Sequence, residues 1–104
     1  MKIQINTDNN ITGRASLVEK AEATITGALG HLANQVTRIE VHLSDENGVK
    51  TGGRDKRCMM EARLEGLRPI AVTDEAEDLD DAIGGAADKL KNSLDTIVGR
   101  MTGR

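Results

Sequence analysis

The sequence predicts an α+β fold: a two-layer β-α-β-β-β-α sandwich in which a four-stranded mixed sheet carries two helices packed on one face. Three observations predict it. Four short segments alternate apolar and polar residues with the period of a half-buried strand, and two longer segments repeat apolar residues with the period of a helix. They follow one another as strand, helix, three strands, helix. Each strand pattern has one polar face and each helix pattern one apolar stripe, so the economical arrangement buries both stripes against the same side of the sheet. The other side of the sheet is left to solvent.

The first strand is "KIQIN", where Ile3 and Ile5 alternate with Lys2, Gln4 and Asn6. The first helix starts between Thr12 and Ser16 and ends near Ala33, with Leu17, Ala21, Ile25, Ala28, Leu29 and Leu32 on its apolar stripe. "SLVE" has the form of a capping box at its start. "TRIEVHL" is the second strand, and it pairs in parallel with the first because a helix joins them. The segment from Ser44 to Lys56, rich in Gly, Asp and Asn, reads as a long polar hairpin loop. "RCMMEARLE" is the third strand, with Cys58, Met60, Ala62 and Leu64 on one face and Arg57, Met59, Glu61, Arg63 and Glu65 on the other. After a turn at "GLRP", "PIAVT" forms a short last strand at the sheet edge, a place that suits Pro69. The final helix spans about six turns, and its stripe runs through Ala76, Leu79, Ile83, Ala86, Ala87, Leu90, Leu94, Ile97 and Met101.

Composition narrows the function classes. The 104 residues contain no Phe, Trp or Tyr, so the core is aliphatic and no ring is available for a nucleic-acid base to stack on. Fourteen Lys and Arg against seventeen Asp and Glu leave a net charge of −3, which disfavours a whole-surface polyanion binder and leaves room for a local basic patch. Residues 49–63 hold Lys50, Arg54, Lys56, Arg57 and Arg63 against Asp55 and Glu61. The single cysteine excludes an intramolecular disulfide and fits a reducing cytoplasm, and no signal peptide or long apolar run is expected.

The most unusual stretch is "DEAEDLDD", six carboxylates from Asp74 to Asp81. A metal site would need ligands converging on one point, whereas acids at a helix start fan outward and are stabilised by the helix dipole. The dipole reading is preferred, and no metal and no cofactor are expected. His42 and Cys58 fall on opposite faces of neighbouring strands, so Cys58 is read as a buried structural thiol and His31 as a helix-end residue. "GVKTGGRDK" lacks the spacing of a Walker loop and is read as a basic loop able to touch a phosphate backbone. Gly84 and Gly85 sit inside the last helix, and close packing against Gly27 and Gly30 of the first is their preferred explanation.

The element order, "INTDNNI" leading into the first helix, and above all "AVTDEAEDLDDAIGGAADKLKNSL" resemble the hibernation-promoting factor and ribosome-associated inhibitor family. Asp78, Ala82, Ile83, Asp88, Lys89, Leu90 and Leu94 carry the register of that likeness, which covers nearly the whole chain. It implies a fold like that of double-stranded-RNA-binding domains and a single ribosome-associated domain over 1–104, similar to the short forms of the family.

It also implies a cytoplasmic partner of the small ribosomal subunit that occupies the decoding region. Such a protein blocks mRNA and tRNA under stress or in stationary phase, with no enzymatic activity, no membrane contact and no small-molecule substrate. It is expected to be a monomer when free. A-form RNA is read largely through phosphates and 2′-hydroxyls, so a shaped basic surface suffices. The leading rRNA-contact candidates are Lys56, Arg57, Arg63, Lys89 and Lys91; the second rank is Arg14, Lys20, Arg38, Arg68 and Arg100. On this reading the six carboxylates point away from the surface that carries Arg57 and Lys89, and finding them on that surface would count against it. The rival reading is a regulatory module that meets a basic protein partner through its open sheet face and acidic helix start; basic residues scattered around the molecule would favour it. An enzyme ranks third, for want of a convergent base, nucleophile or metal cluster.

Overall fold

The computed structural model describes residues 1–9, 11–46 and 55–101. In chain order it contains β1 (Lys2–Thr7), α1 (Arg14–Leu29) continued by a 3-10 turn at Gly30–Leu32, β2 (Val36–Asp45), β3 (Lys56–Leu64), β4 (Ile70–Ala76) and α2 (Leu79–Met101). The four strands form one sheet in the order β1-β2-β3-β4. β1 runs parallel to β2, and β2, β3 and β4 are successively antiparallel. The predicted α+β sandwich is the observed one.

The strand alternation decides what each face becomes. Ile5, Ile39, Val41, Leu43, Cys58, Met60, Ala62 and Leu64 point to one side and are buried under the helices. α1 adds Leu17, Ala21, Ile25 and Leu29 to that core, and α2 adds Ala82, Ile83, Ala86, Ala87, Leu90 and Leu94. α2 packs over β3 and β4 and against α1. Lys2, Gln4, Arg38, Glu40, His42, Arg57, Met59 and Arg63 belong to the uncovered face, as their opposite parity requires.

Three expectations change at the element ends. α1 has no capping box: Gly13, with φ 68°, is the N-cap without a side-chain bond, and Leu17 N–H donates to the Gly13 carbonyl at 3.1 Å. The left-handed backbone at Gly13 turns the chain into the helix two residues before Ser16, so that serine lies inside the first turn. Two residues assigned to the predicted polar loop, Ser44 and Asp45, instead extend β2, and Lys56 opens β3. Of the rest of that loop, Glu46 and Asp55 are described, and residues 47–54 with Lys50 and Arg54 lie outside the described residues.

The third change concerns the acidic stretch. β4 continues through Asp74, Glu75 and Ala76, and only Asp80 and Asp81 stand in the first turn of α2. Cross-strand pairing with Arg57 and Lys56 holds Glu75 and Ala76 in the sheet. Ala76 is therefore a strand residue, and Met101, at the other end of the predicted stripe, is 55% exposed. Asp78 is the cap: its Oδ1 accepts the backbone N–H of Asp81 at 2.8 Å, and its carbonyl accepts from Ala82. Asp78→Ala is expected to lower stability by about 0.5–2 kcal/mol, measured by thermal or urea denaturation, while Asp78→Asn retains most of it.

Candidate nucleic-acid interface

The leading candidate bases stand on different surfaces. Arg57 and Arg63 project from the uncovered sheet face, whereas Lys56 is on the helix side of β3. Lys89 and Lys91 are two residues apart, and two steps of about 100° put them on opposite flanks of α2. Lys89 reaches toward β4, where its ammonium donates to the Thr73 carbonyl at 2.8 Å and pairs with Asp74 at 3.0 Å. Lys91 turns to the other flank and pairs with Asp95 at 2.9 Å, and Asp95 also accepts from Nε2 of His31, at the end of α1, at 2.8 Å.

Four of these five cations are held by acids. Lys56 lies 3.1 Å from Asp55 and 3.4 Å from Asp45, both of which are buried carboxylates at the base of the β2–β3 connection. Hydrogen bonding to Asp55 raises the Lys56 pKa above its ordinary value, with Asp45 adding to the effect and burial opposing it. That lysine closes the hairpin base, alongside the backbone bond from Glu46 N–H to the Asp55 carbonyl. Arg57 is 3.7 Å from Glu46. Arg63 has no acid within ion-pair distance among the described residues.

In the second rank, Lys20 of α1 pairs with Asp80 of α2 at 3.6 Å, and Arg38 Nε lies 3.5 Å from Glu40. Arg38 also donates to the side-chain oxygen of Gln4. Arg14 begins α1, Arg68 lies in the turn after β3, and Arg100 occupies the last turn of α2; none of the three is ion-paired among the described residues.

The expected separation of acids from bases is not what the structure has. Asp74 bonds Lys89, Asp80 bonds Lys20, and Glu75 is the cross-strand partner of Arg57. The cause is the extension of β4: strand alternation sends Asp74 to the helix side and Glu75 to the open side, so the acids spread over both surfaces and meet the nearest cations. Within the remaining cluster, the Asp78 charge raises the Asp81 carboxyl above its usual range. At the far end of α2, the bond from His31, then that from Lys91, holds the Asp95 carboxyl below its usual range.

Gly85 is the glycine that α2 needs. A methyl group there would overlap the Asp74 carboxylate, whereas Gly84, Gly27 and Gly30 have nothing within 4 Å of where a Cβ would stand. The close approach is thus between α2 and an acidic side chain of β4, and glycine-to-glycine helix packing is set aside. Asp74 also faces Cys58 across the strand pair. Burial, reinforced by the Asp74 charge, pushes the Cys58 thiol up to about 12, which makes it an unreactive core residue, while His42 on the other face is half exposed.

Lys2 was not among the predicted bases, yet it belongs with them. The parallel register sets Lys2 beside Arg38, and the antiparallel register sets Arg38 beside Arg63, so three cations form one cross-strand row on the open face. The alternation of "KIQIN" indicates which face Lys2 takes; only the register shows which residues stand beside it.

Comparison with known proteins agrees with the fold. A crystal structure of the Thermus thermophilus Protein Y N-terminal domain superposes with a TM-score of 0.72 at 20% identity, covering 93% of this chain and 99% of that one. The structure of a ribosomal subunit interface protein from Coxiella burnetii gives a TM-score of 0.72 at 16% identity, covering 95% of this chain and 99% of that one. No curated protein sequence matches. The family model described as sigma 54 modulation protein / S30EA ribosomal protein matches residues 3–102, nearly the whole described sandwich from the first strand to the end of α2, and the chain belongs to that family.

Proposed function

We propose that this protein associates with the small ribosomal subunit in the cytoplasm and inhibits translation by occupying the decoding region, so that mRNA and tRNA cannot enter. The observation that carries the reading is the family match over residues 3–102. The action is steric: no bond is made or broken, and the induced condition is stress or stationary phase. The exposed pairs made by Arg57, Lys89 and Lys91 are compatible with it, because exposed ion pairs contribute only about 0–1 kcal/mol and an rRNA phosphate can replace the carboxylate.

Sedimentation with purified small subunits tests the proposal. Co-migration is expected at low salt and should decline steeply as salt rises, because phosphate contacts release counterions. Inhibition of translation in a purified system should follow the same salt dependence. Absence of co-migration at low salt would overturn the reading. A second reading, a regulatory module for a basic protein partner, is favoured by the dispersal of Lys56, Arg57, Lys89 and Lys91 over several surfaces. It predicts no sedimentation with subunits stripped to their rRNA, which separates the two.

A further inference from the structure

We infer that the RNA backbone is gripped at one end of the uncovered sheet face, by Lys2, Arg38 and Arg63 with Arg68 beside them. The inference rests on the ribosomal reading above and names the surface that reading requires.

The sheet is electrically lopsided. β1 and β2 begin, and β3 ends, at the same end of the sheet, and the turn carrying Arg68 follows β3 there. The opposite end collects Asp8, Asp45, Asp55, Glu75 and Asp78, five acids against Lys56 and Arg57, both of which are paired with acids. Arg38 and Ser44 are six residues apart on β2, which at about 3.3 Å per residue puts roughly 20 Å between the basic row and the acidic end.

Lys2, Arg38 and Arg63 occupy three adjacent strands at one register position, with neighbouring strands about 4.8 Å apart. Like charges directly opposite one another destabilise a sheet. Elsewhere in the molecule, Lys20, Lys56, Arg57, Lys89 and Lys91 each have an acid beside them, while Arg14 and Arg100, at the two helix ends, stand singly without one among the described residues. In this row only Arg38 does, through Glu40, and Lys2, Arg63 and Arg68 have none among the described residues. A row compensated only at Arg38 is stabilised when an anion lies across it.

Local backbone geometry supports the assignment. The β2–β3 register shifts between Val36 and Arg38, leaving Thr37 as an extra residue, and its hydroxyl donates to the Arg63 carbonyl at 3.1 Å. Such a bulge increases twist and re-aims the neighbouring side chains, here Arg38 and Arg63.

The occupant follows from what surrounds the row. Gln4, Asn6 and His42, with the cross-strand carboxylates Glu40 and Glu61, offer hydrogen-bonding groups of the kind that meet ribose hydroxyls, and Met59 is the one large apolar side chain among the open-face positions of β2 and β3. A protein partner would want an apolar centre, which this face lacks. Guanidinium groups at Arg38, Arg63 and Arg68 match phosphate oxygens bidentately.

Two triple variants with equal charge loss test the inference: Lys2→Gln/Arg63→Gln/Arg68→Gln, and the control Arg57→Gln/Lys89→Gln/Lys91→Gln. All six residues are at the surface or half exposed, and circular dichroism verifies folding. In small-subunit sedimentation across a salt series, the first triple should lose on the order of tenfold to a hundredfold in affinity, and its log K against log salt slope should fall by about 2–3. The control should lose less than the first triple, because each of its cations must leave an acid before it can meet a phosphate. Equal losses in the two triples, or a larger loss in the control, overturn the inference and leave the ribosomal reading standing. Failure of the wild type to sediment overturns the ribosomal reading itself. Titrations with a fluorescent RNA hairpin and with polyglutamate run beside it: hairpin binding that only the first triple abolishes supports the surface, and polyglutamate binding without hairpin binding overturns it.

Discussion

Replacing Leu90 by Ala should cost about 2–5 kcal/mol of folding stability, the range for removing a large aliphatic side chain from a core that cannot collapse around the gap. Leu90 is fully buried in α2, which packs on β3, β4 and α1 together. The core has no aromatic ring to absorb the loss; it is built from side chains no larger than Leu, Ile and Met. For a domain of this size each kcal/mol moves the thermal midpoint by about 4–8 °C, so the variant should melt at least about 8 °C lower. Leu67→Ala is the matched control: Leu67 is 42% exposed in the β3–β4 turn and should change stability by no more than about 0.5 kcal/mol. A Leu90→Ala variant within about 1 kcal/mol of wild type would mean that α2 is not held as described.

The buried set was legible in the sequence because burial follows from periodicity. Alternation in "KIQIN", "TRIEVHL" and "RCMMEARLE" assigns Ile5, Ile39, Val41, Leu43, Cys58, Met60, Ala62 and Leu64 to the core face, and the helical stripe assigns Leu17, Ala21, Ile25, Ile83, Leu90 and Leu94. Ala82, by contrast, lies off the stripe, and Val36, ahead of the register shift, has the opposite parity to the rest of β2. Element ends were less legible. Asp74 and Glu75 have poor strand propensity and resemble a helix start, yet pairing with Cys58 and Arg57 keeps them in β4. The charge pattern was the least legible part. Whether Lys89 meets Asp74, or Lys20 meets Asp80, depends on how α2 crosses β4 and α1, and no local pattern reports that. Lys2 shows the same limit in a simpler form: its face can be read from two neighbouring residues, but its place beside Arg38 and Arg63 requires two strand registers.

Adjacent glycines in α2 should respond to alanine in opposite directions. Gly84 has open space where a Cβ would go, so Gly84→Ala should add about 0.5–1 kcal/mol by restricting the unfolded chain and favouring the helix. At Gly85 the same gain is outweighed, because the new methyl takes the place of the Asp74 carboxylate. Asp74 must then rotate out of the notch between β4 and α2, giving up its 3.0 Å pair with Lys89 while the strand beneath it stays packed. A net loss of about 1–2 kcal/mol is expected, at the lower end of the range for overpacking since a side chain yields before the backbone does. Removing the obstruction should reverse the sign. In an Asp74→Ala background the notch is empty, and Gly85→Ala should become stabilising by about 0.5–1 kcal/mol, as at Gly84. Urea denaturation of the four proteins in this cycle measures the coupling directly, and the expected interaction energy is about 1.5–3 kcal/mol. Equal effects of Gly85→Ala in the two backgrounds would show that Asp74 does not occupy the notch. The same result would remove the contact that fixes Asp74, and through it Lys89, on the flank of α2 facing β4. Lys89 would then keep its bond to the Thr73 carbonyl but lose its acid, joining Lys2, Arg63 and Arg68 as cations with no acid beside them among the described residues.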